Sequence, residues 1–77
     1  MSNDINWQKE ATGILNAARV KRGLTYEEMC QRLATLGVHK TPSSLGLLIN
    51  RGKFSFVFFL QCARILNIKK LHLDDYD

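Results

Sequence analysis

Three glycines, each answered by a helix-starting hydroxyl, cut this chain into segments too short for anything but a small bundle of helices. Gly23 is followed by Thr25, Gly37 by Thr41 and Gly52 by Ser55. Glycine enters the left-handed conformation that closes a helix, and a Thr or Ser oxygen accepts from the orphan amides of the next first turn. Between these marks the apolar residues recur at steps of three and four. Helix one is expected over Ile5 to Arg22, with Trp7, Ala11, Ile14, Leu15 and Ala18 as one apolar stripe. Trp7 reads as core or as a staple at the helix start. Thr25-Tyr26-Glu27-Glu28 is a capping box, because Thr25 and Glu28 stand at the spacing that lets each side chain satisfy the other's amide. Met29, Cys30, Leu33 and Leu36 form the apolar face of that second helix, and Val38 is placed to pack back after Gly37.

Thr41-Pro42 opens a third helix, since proline at the first helical position loses no hydrogen bond. Leu45, Leu48 and Ile49 face its core side, and Gly52 closes it. The fourth helix, Phe56 to Leu66, ends at Asn67 and is apolar almost all round, more than one core-facing stripe requires. Its surplus, with the tail Ile68 to Leu73, predicts a twofold contact through Phe56, Phe59, Leu60, Leu71 and Leu73. The loose alternation of that tail is compatible with a short strand. At 77 residues the chain has room for one all-α domain, with a core of about 5–67 and a tail of 68–77.

Charge narrows the partner. From Met29 to Leu73 the chain runs 45 residues with no Asp or Glu and seven Lys or Arg. The net charge of +4 therefore conceals a basic surface suited to a polyanion, of which nucleic acid is the commonest. A membrane surface fits less well, because the cations do not line one face of a single amphipathic helix. The N-terminus has no apolar signal core, and no apolar run is long enough to span a bilayer, so a cytoplasmic protein is expected.

The order Leu24-Thr25-Tyr26-Glu27-Glu28-Met29-Cys30, a glycine, a short capped helix, then Ile49-Asn50-Arg51-Gly52, resembles lambda-repressor-like helix-turn-helix domains. Those domains show L-T-x-x-E-L-A before the turn and I-x-R-G at the close of the recognition helix. The runs T-Y-E-E-M at Thr25, T-P-x-x-L at Thr41 and R-G-K-F-S-x-x-F-F-L-Q at Arg51 are also similar to a family of small bacterial proteins catalogued only as a domain of unknown function. The first resemblance implies a compact four-helix fold, double-stranded DNA as partner, transcriptional regulation and a homodimer. It implies contacts from Tyr26, His39, Lys40, Thr41, Ser43, Ser44, Asn50, Arg51 and Lys53. Arg51 and Lys53 flank the Gly52 corner where such a fold approaches phosphate. Thr41 serves as cap, as phosphate contact, or as both. Tyr26 meets the DNA backbone or packs on its neighbours. His39 and Lys40 reach a groove or decorate an exposed loop.

Two features depart from the repressor pattern. The second helix is expected to be about a turn longer than usual, and the connection from Gly37 to Lys40 is looser than a tight turn. The third helix is poor in the long polar side chains that read base edges, offering Ser43 and Ser44 near its start and an exposed Leu47. Either readout is phosphate-dominated, or the apolar surface of helices three and four makes this a protein-interaction module of adaptor or antitoxin-like type. No enzyme, metal, cofactor or small-molecule substrate is expected. Cys30 and Cys62 fall at apolar positions without a neighbouring base, and Cys30, Cys62, His39 and His72 lack the paired spacing of a zinc site. The five glycines are spread singly, so no phosphate-cradling loop exists.

Overall fold

The computed structural model describes residues 5–71 as four helices: α1 (Trp7–Lys21), α2 (Tyr26–Ala34), α3 (Pro42–Arg51) and α4 (Phe56–Ile65). Every helix start is set by a side-chain cap. Asn6 accepts from the Lys9 amide, Thr25 from Glu28, Thr41 from Ser44 and Ser55 from Phe58. The box at α2 is complete, since the Thr25 amide donates to the Glu28 carboxylate at 2.8 Å while the Glu28 amide donates to Thr25 Oγ1 at 3.1 Å. The Thr25 amide first, and then the Thr25 hydroxyl, which donates to the same carboxylate oxygen at 3.1 Å, hold the Glu28 carboxyl below the usual carboxylate range.

The closures follow one pattern. After α1, the Leu24 amide reaches back to the Arg19 carbonyl. Val38 does the same to Leu33, and Ile68 to Ala63. Each is the six-to-one bond made possible by a left-handed residue at Gly23, Gly37 and Asn67. Helix α2 itself stops at Ala34, and Thr35 to Gly37 form a turn, so Leu36 leaves the apolar face expected of it and is exposed. The turn rotates it off the face that Met29 and Leu33 present.

Helix α3 packs on both α1 and α2, and α2 packs on α4. The core is drawn from all four: Leu15, Leu24, Met29, Leu33, Leu45, Ile49, Phe58, Cys62, Ile65 and Leu66. Removing so many aliphatic side chains from water, at about 1.5–3 kcal/mol each, is the main favourable term. Burial also suppresses thiol chemistry, pushing Cys62 up to about 12. The Cys30 thiol, only half-buried rather than core, is raised by the same cause and by Glu27.

Two expectations, for Trp7 and for the tail, are corrected, while the surplus apolar surface expected on α4 is present. Trp7 is neither core nor staple; at the first helical position it is 72 % exposed. On α4 the spacing 58, 62, 65, 66 takes the core, leaving Phe56, Val57 and Leu60 exposed on the opposite side while Phe59 is half-buried. Ile68 to Leu71 form no strand; Ile68 packs on the core and Leu71 lies in a groove along α1. Leu73 and His72 lie outside the described residues. Among the described residues, no helix is long and apolar enough to cross a membrane.

Candidate nucleic-acid interface

Helix α3 presents two surfaces that differ in kind, and Asn50 and Arg51 divide them. Asn50, itself exposed, bonds into a polar junction of α1, α2 and α3. Its Nδ2 donates to the Gly46 carbonyl at 2.8 Å and to Tyr26 Oη at 3.2 Å, while its Oδ1 accepts from Asn16 Nδ2 at 3.1 Å. Asn16 Oδ1 in turn accepts from Tyr26 Oη at 3.0 Å and from Arg19 Nε at 3.3 Å. The Arg19 guanidinium also donates to the Leu24 carbonyl at 2.9 Å and lies 4.3 Å from the centre of the Tyr26 ring, a cation–π contact. The flat ring passes over α3 at Gly46, where an added Cβ would stand only 3.3 Å from it. One helical turn away, Thr12 Oγ1 donates to the Ile49 carbonyl at 2.6 Å.

Tyr26 and Asn50, both expected to meet DNA, are thus brought together, but as partners of each other and of α1. Sequence reasoning missed Thr12, Asn16 and Arg19. Their signal was present: they recur at steps of four and three, a polar stripe alongside Ala11, Leu15 and Ala18.

Arg51 turns the other way. Lys40, Ser44, Leu47, Leu48 and Arg51 line an open depression of about 270 Å³ on the outer side of α3. Arg51 also borders a second one of about 250 Å³ with Asn6, Gln8, Lys9, Thr12 and Asn50. Lys40 extends toward α4, its ammonium 5.9 Å from the centre of the Phe58 ring. Ser44 donates to the Thr41 carbonyl at 3.3 Å and Thr41 caps α3, so both hydroxyls are engaged locally while staying on the surface. His39, Ser43 and Lys53 are exposed.

The corner carrying Arg51 and Lys53 is held by Gly52. Its φ of 68° belongs to the left-handed region, and a Cβ there would lie 2.6 Å from the Gln8 carbonyl carbon and 2.8 Å from Gln8 Cα, with the Gln8 oxygen nearer still. The backbone of α3's end rests on the first turn of α1. Only a residue without a side chain permits that approach.

The arginines divide in the same way. Arg19, Arg22 and Arg32 donate to carbonyls of their own fold, Arg32 tying α2 to Ile65 at the end of α4. Among the described residues, Arg51 enters no side-chain hydrogen bond. Over residues 5–71 eleven Lys and Arg face three Glu, a stronger imbalance than the whole chain's +4. Such a surface holds anions by field as well as by contact. Among the described residues, no group of His, Cys, Asp and Glu is placed to hold a metal.

A family model described as a domain of unknown function, DUF6471, matches residues 7–71, and the chain belongs to that family. No curated protein and no solved structure matches the chain.

Proposed function

We propose that the chain binds double-stranded DNA as a lambda-repressor-like helix-turn-helix domain and acts as a small transcriptional regulator, α3 lying in the major groove. The observation that carries this reading is the open depression where Lys40, Ser44 and Arg51 meet on the outer side of α3. Arg51 and Lys53 take phosphates at the Gly52 corner, with Lys40 and His39 on the loop that leads into α3. Ser43, Ser44 and Thr41 present short hydroxyls at its start. Tyr26 and Asn50 set the tilt of α3 against α1 and α2 through Asn16 and Arg19. Because α3 is poor in long polar side chains, affinity is dominated by phosphate and discrimination between sequences is small. A twofold pairing through the exposed Phe56 and Leu60 would add affinity by presenting two copies of α3 to half-sites about 34 Å apart.

The test is a mobility-shift titration against random and genomic duplexes at two salt concentrations. Binding should weaken steeply with salt, and Arg51→Ala with Lys53→Ala should lower the salt slope by about one unit per residue. A folded double variant with an unchanged slope overturns the assignment of these two residues. Absence of binding at low salt overturns the DNA reading and favours a protein-interaction module. For that second reading the supporting observation is apolar: Phe56 is 69 %, Val57 64 % and Leu47 59 % exposed.

A further inference from the structure

Leu45 and Ile49 are fully buried, and Leu47 stands two residues from each. Two steps of about 100° carry it to the opposite side of the helix from both, so the packing that seats α3 turns it outward and leaves it 59 % exposed. Leu48 packs against the core, and Gly46 lies against the Tyr26 ring. Leu47 is therefore the one large apolar side chain that α3 exposes. A lone exposed leucine is ordinary, but the setting of this one is not. It lines the open depression bordered by Lys40, Ser44 and Arg51, so one surface carries an apolar side chain and two cations.

That combination fits a partner with apolar and anionic groups at close quarters. The major groove is such a surface, with the C5-methyl groups of thymine on its floor and phosphates along both rims, about 12 Å apart. A purely apolar protein face fits less well, because covering the depression would strip water from Lys40 and Arg51 and return no anion. Ser44 adds direction. Its hydroxyl donates to the Thr41 carbonyl at 3.3 Å, which leaves its oxygen to accept, and the groove-edge donor paired with a thymine is the N6 amino group of adenine. Resting on the nucleic-acid reading above, we infer that Leu47 reads the thymine C5-methyl group, so that thymine-bearing steps are the sequence class this helix prefers. The preference is modest, in keeping with an affinity dominated by phosphate.

The experiment selects a duplex from a random pool by repeated rounds of binding to the full chain, then remakes it with uracil in place of every thymine. The exchange removes the methyl groups and leaves charge and base pairing in place. The parent should bind the uracil duplex about fourfold more weakly for each methyl that Leu47 covers, since burying one such group is worth about that factor. Leu47→Ala should lose a similar factor on the thymine duplex and bind the two duplexes alike, a coupling that altered DNA shape does not produce. Because the position is exposed, this variant should melt with the parent, and Leu47→Met, which keeps an apolar tip, should retain the thymine preference. Equal binding of both duplexes by the parent overturns the proposal. A uracil penalty that persists undiminished in Leu47→Ala also overturns it, assigning the preference to shape. In both of those cases salt-sensitive binding leaves the nucleic-acid reading standing. No binding to any duplex at low salt overturns both and returns Leu47 to the protein-interaction reading.

Discussion

The inner and outer sides of α3 are built from similar residue types and used in opposite ways. On the inner side Asn50, Tyr26, Asn16 and Arg19 spend their donors and acceptors on one another. On the outer side Lys40 and Arg51 border an open depression, and neither donates a side-chain hydrogen bond among the described residues. The contrast teaches that a polar residue on a helix proposed to lie in a DNA groove is not by that fact a DNA contact. Its partners decide.

The most severe way to break the contrast is at the corner where both sides meet. Gly52→Ala should destabilise the domain by about 3 kcal/mol or more, because it adds an atom against the Gln8 backbone and demands a left-handed alanine. Thermal or urea denaturation measures this. A variant as stable as the parent would show that α3 does not end on α1. Next comes Asn16→Ala, which strands Tyr26 Oη, Arg19 and Asn50 Oδ1 at once. A loss of about 1–2 kcal/mol is expected by denaturation, and Tyr26→Phe should lose less, about 1 kcal/mol. If Asn16→Ala melts like the parent while DNA affinity falls, the inner cluster is a contact surface and the contrast fails.

Thr25→Ala removes the cap of α2 and should lose roughly 1 kcal/mol. The same box gives a pH signature. Because the folded state lowers the Glu28 pKa, its contribution is present above the unfolded-state value and is lost as the pH falls through the lower folded value. Glu28→Gln should therefore be less stable than the parent at neutral pH and show a shallower loss of stability through the acid range. Parallel acid limbs for the two proteins would exclude the effect. The smallest expected change in stability is for Arg51→Ala with Lys53→Ala, within about 0.5 kcal/mol of the parent by melting. A larger loss would mean that Arg51 serves the fold after all.

The helix count and the starts of α2, α3 and α4 were legible because caps are local: Thr25 with Glu28, Thr41 with Pro42, and Ser55 each act within one turn, whereas α1 starts at Trp7 behind Asn6 rather than at Ile5. Which apolar residues go inside was legible only where neighbouring helices cover the stripe. Leu15, Leu45 and Ile49 are covered, whereas Trp7, at the first helical position, and Leu36, past the end of α2, are not. Of the candidate site, the exposed corner at Arg51 and Lys53 was readable from charge and the glycine beside it. The inner junction was not, since pairing Asn16 with Asn50 depends on how two distant helices cross. The polar stripe at Thr12, Asn16 and Arg19 marked only one half of it.

The bonds that seat α1 carry a kinetic consequence. Thr12 to Ile49 and Asn16 to Asn50 join residues 37 and 34 positions apart. Closing a loop of that length costs on the order of 3 kcal/mol of chain entropy before either contact rewards it. Contacts of this kind form late, after α2 and α3 have met across their shorter connection. Substitutions at Thr12 and Asn16 should therefore accelerate unfolding far more than they slow folding, so the lifetime of the native state resides in the grip on α1.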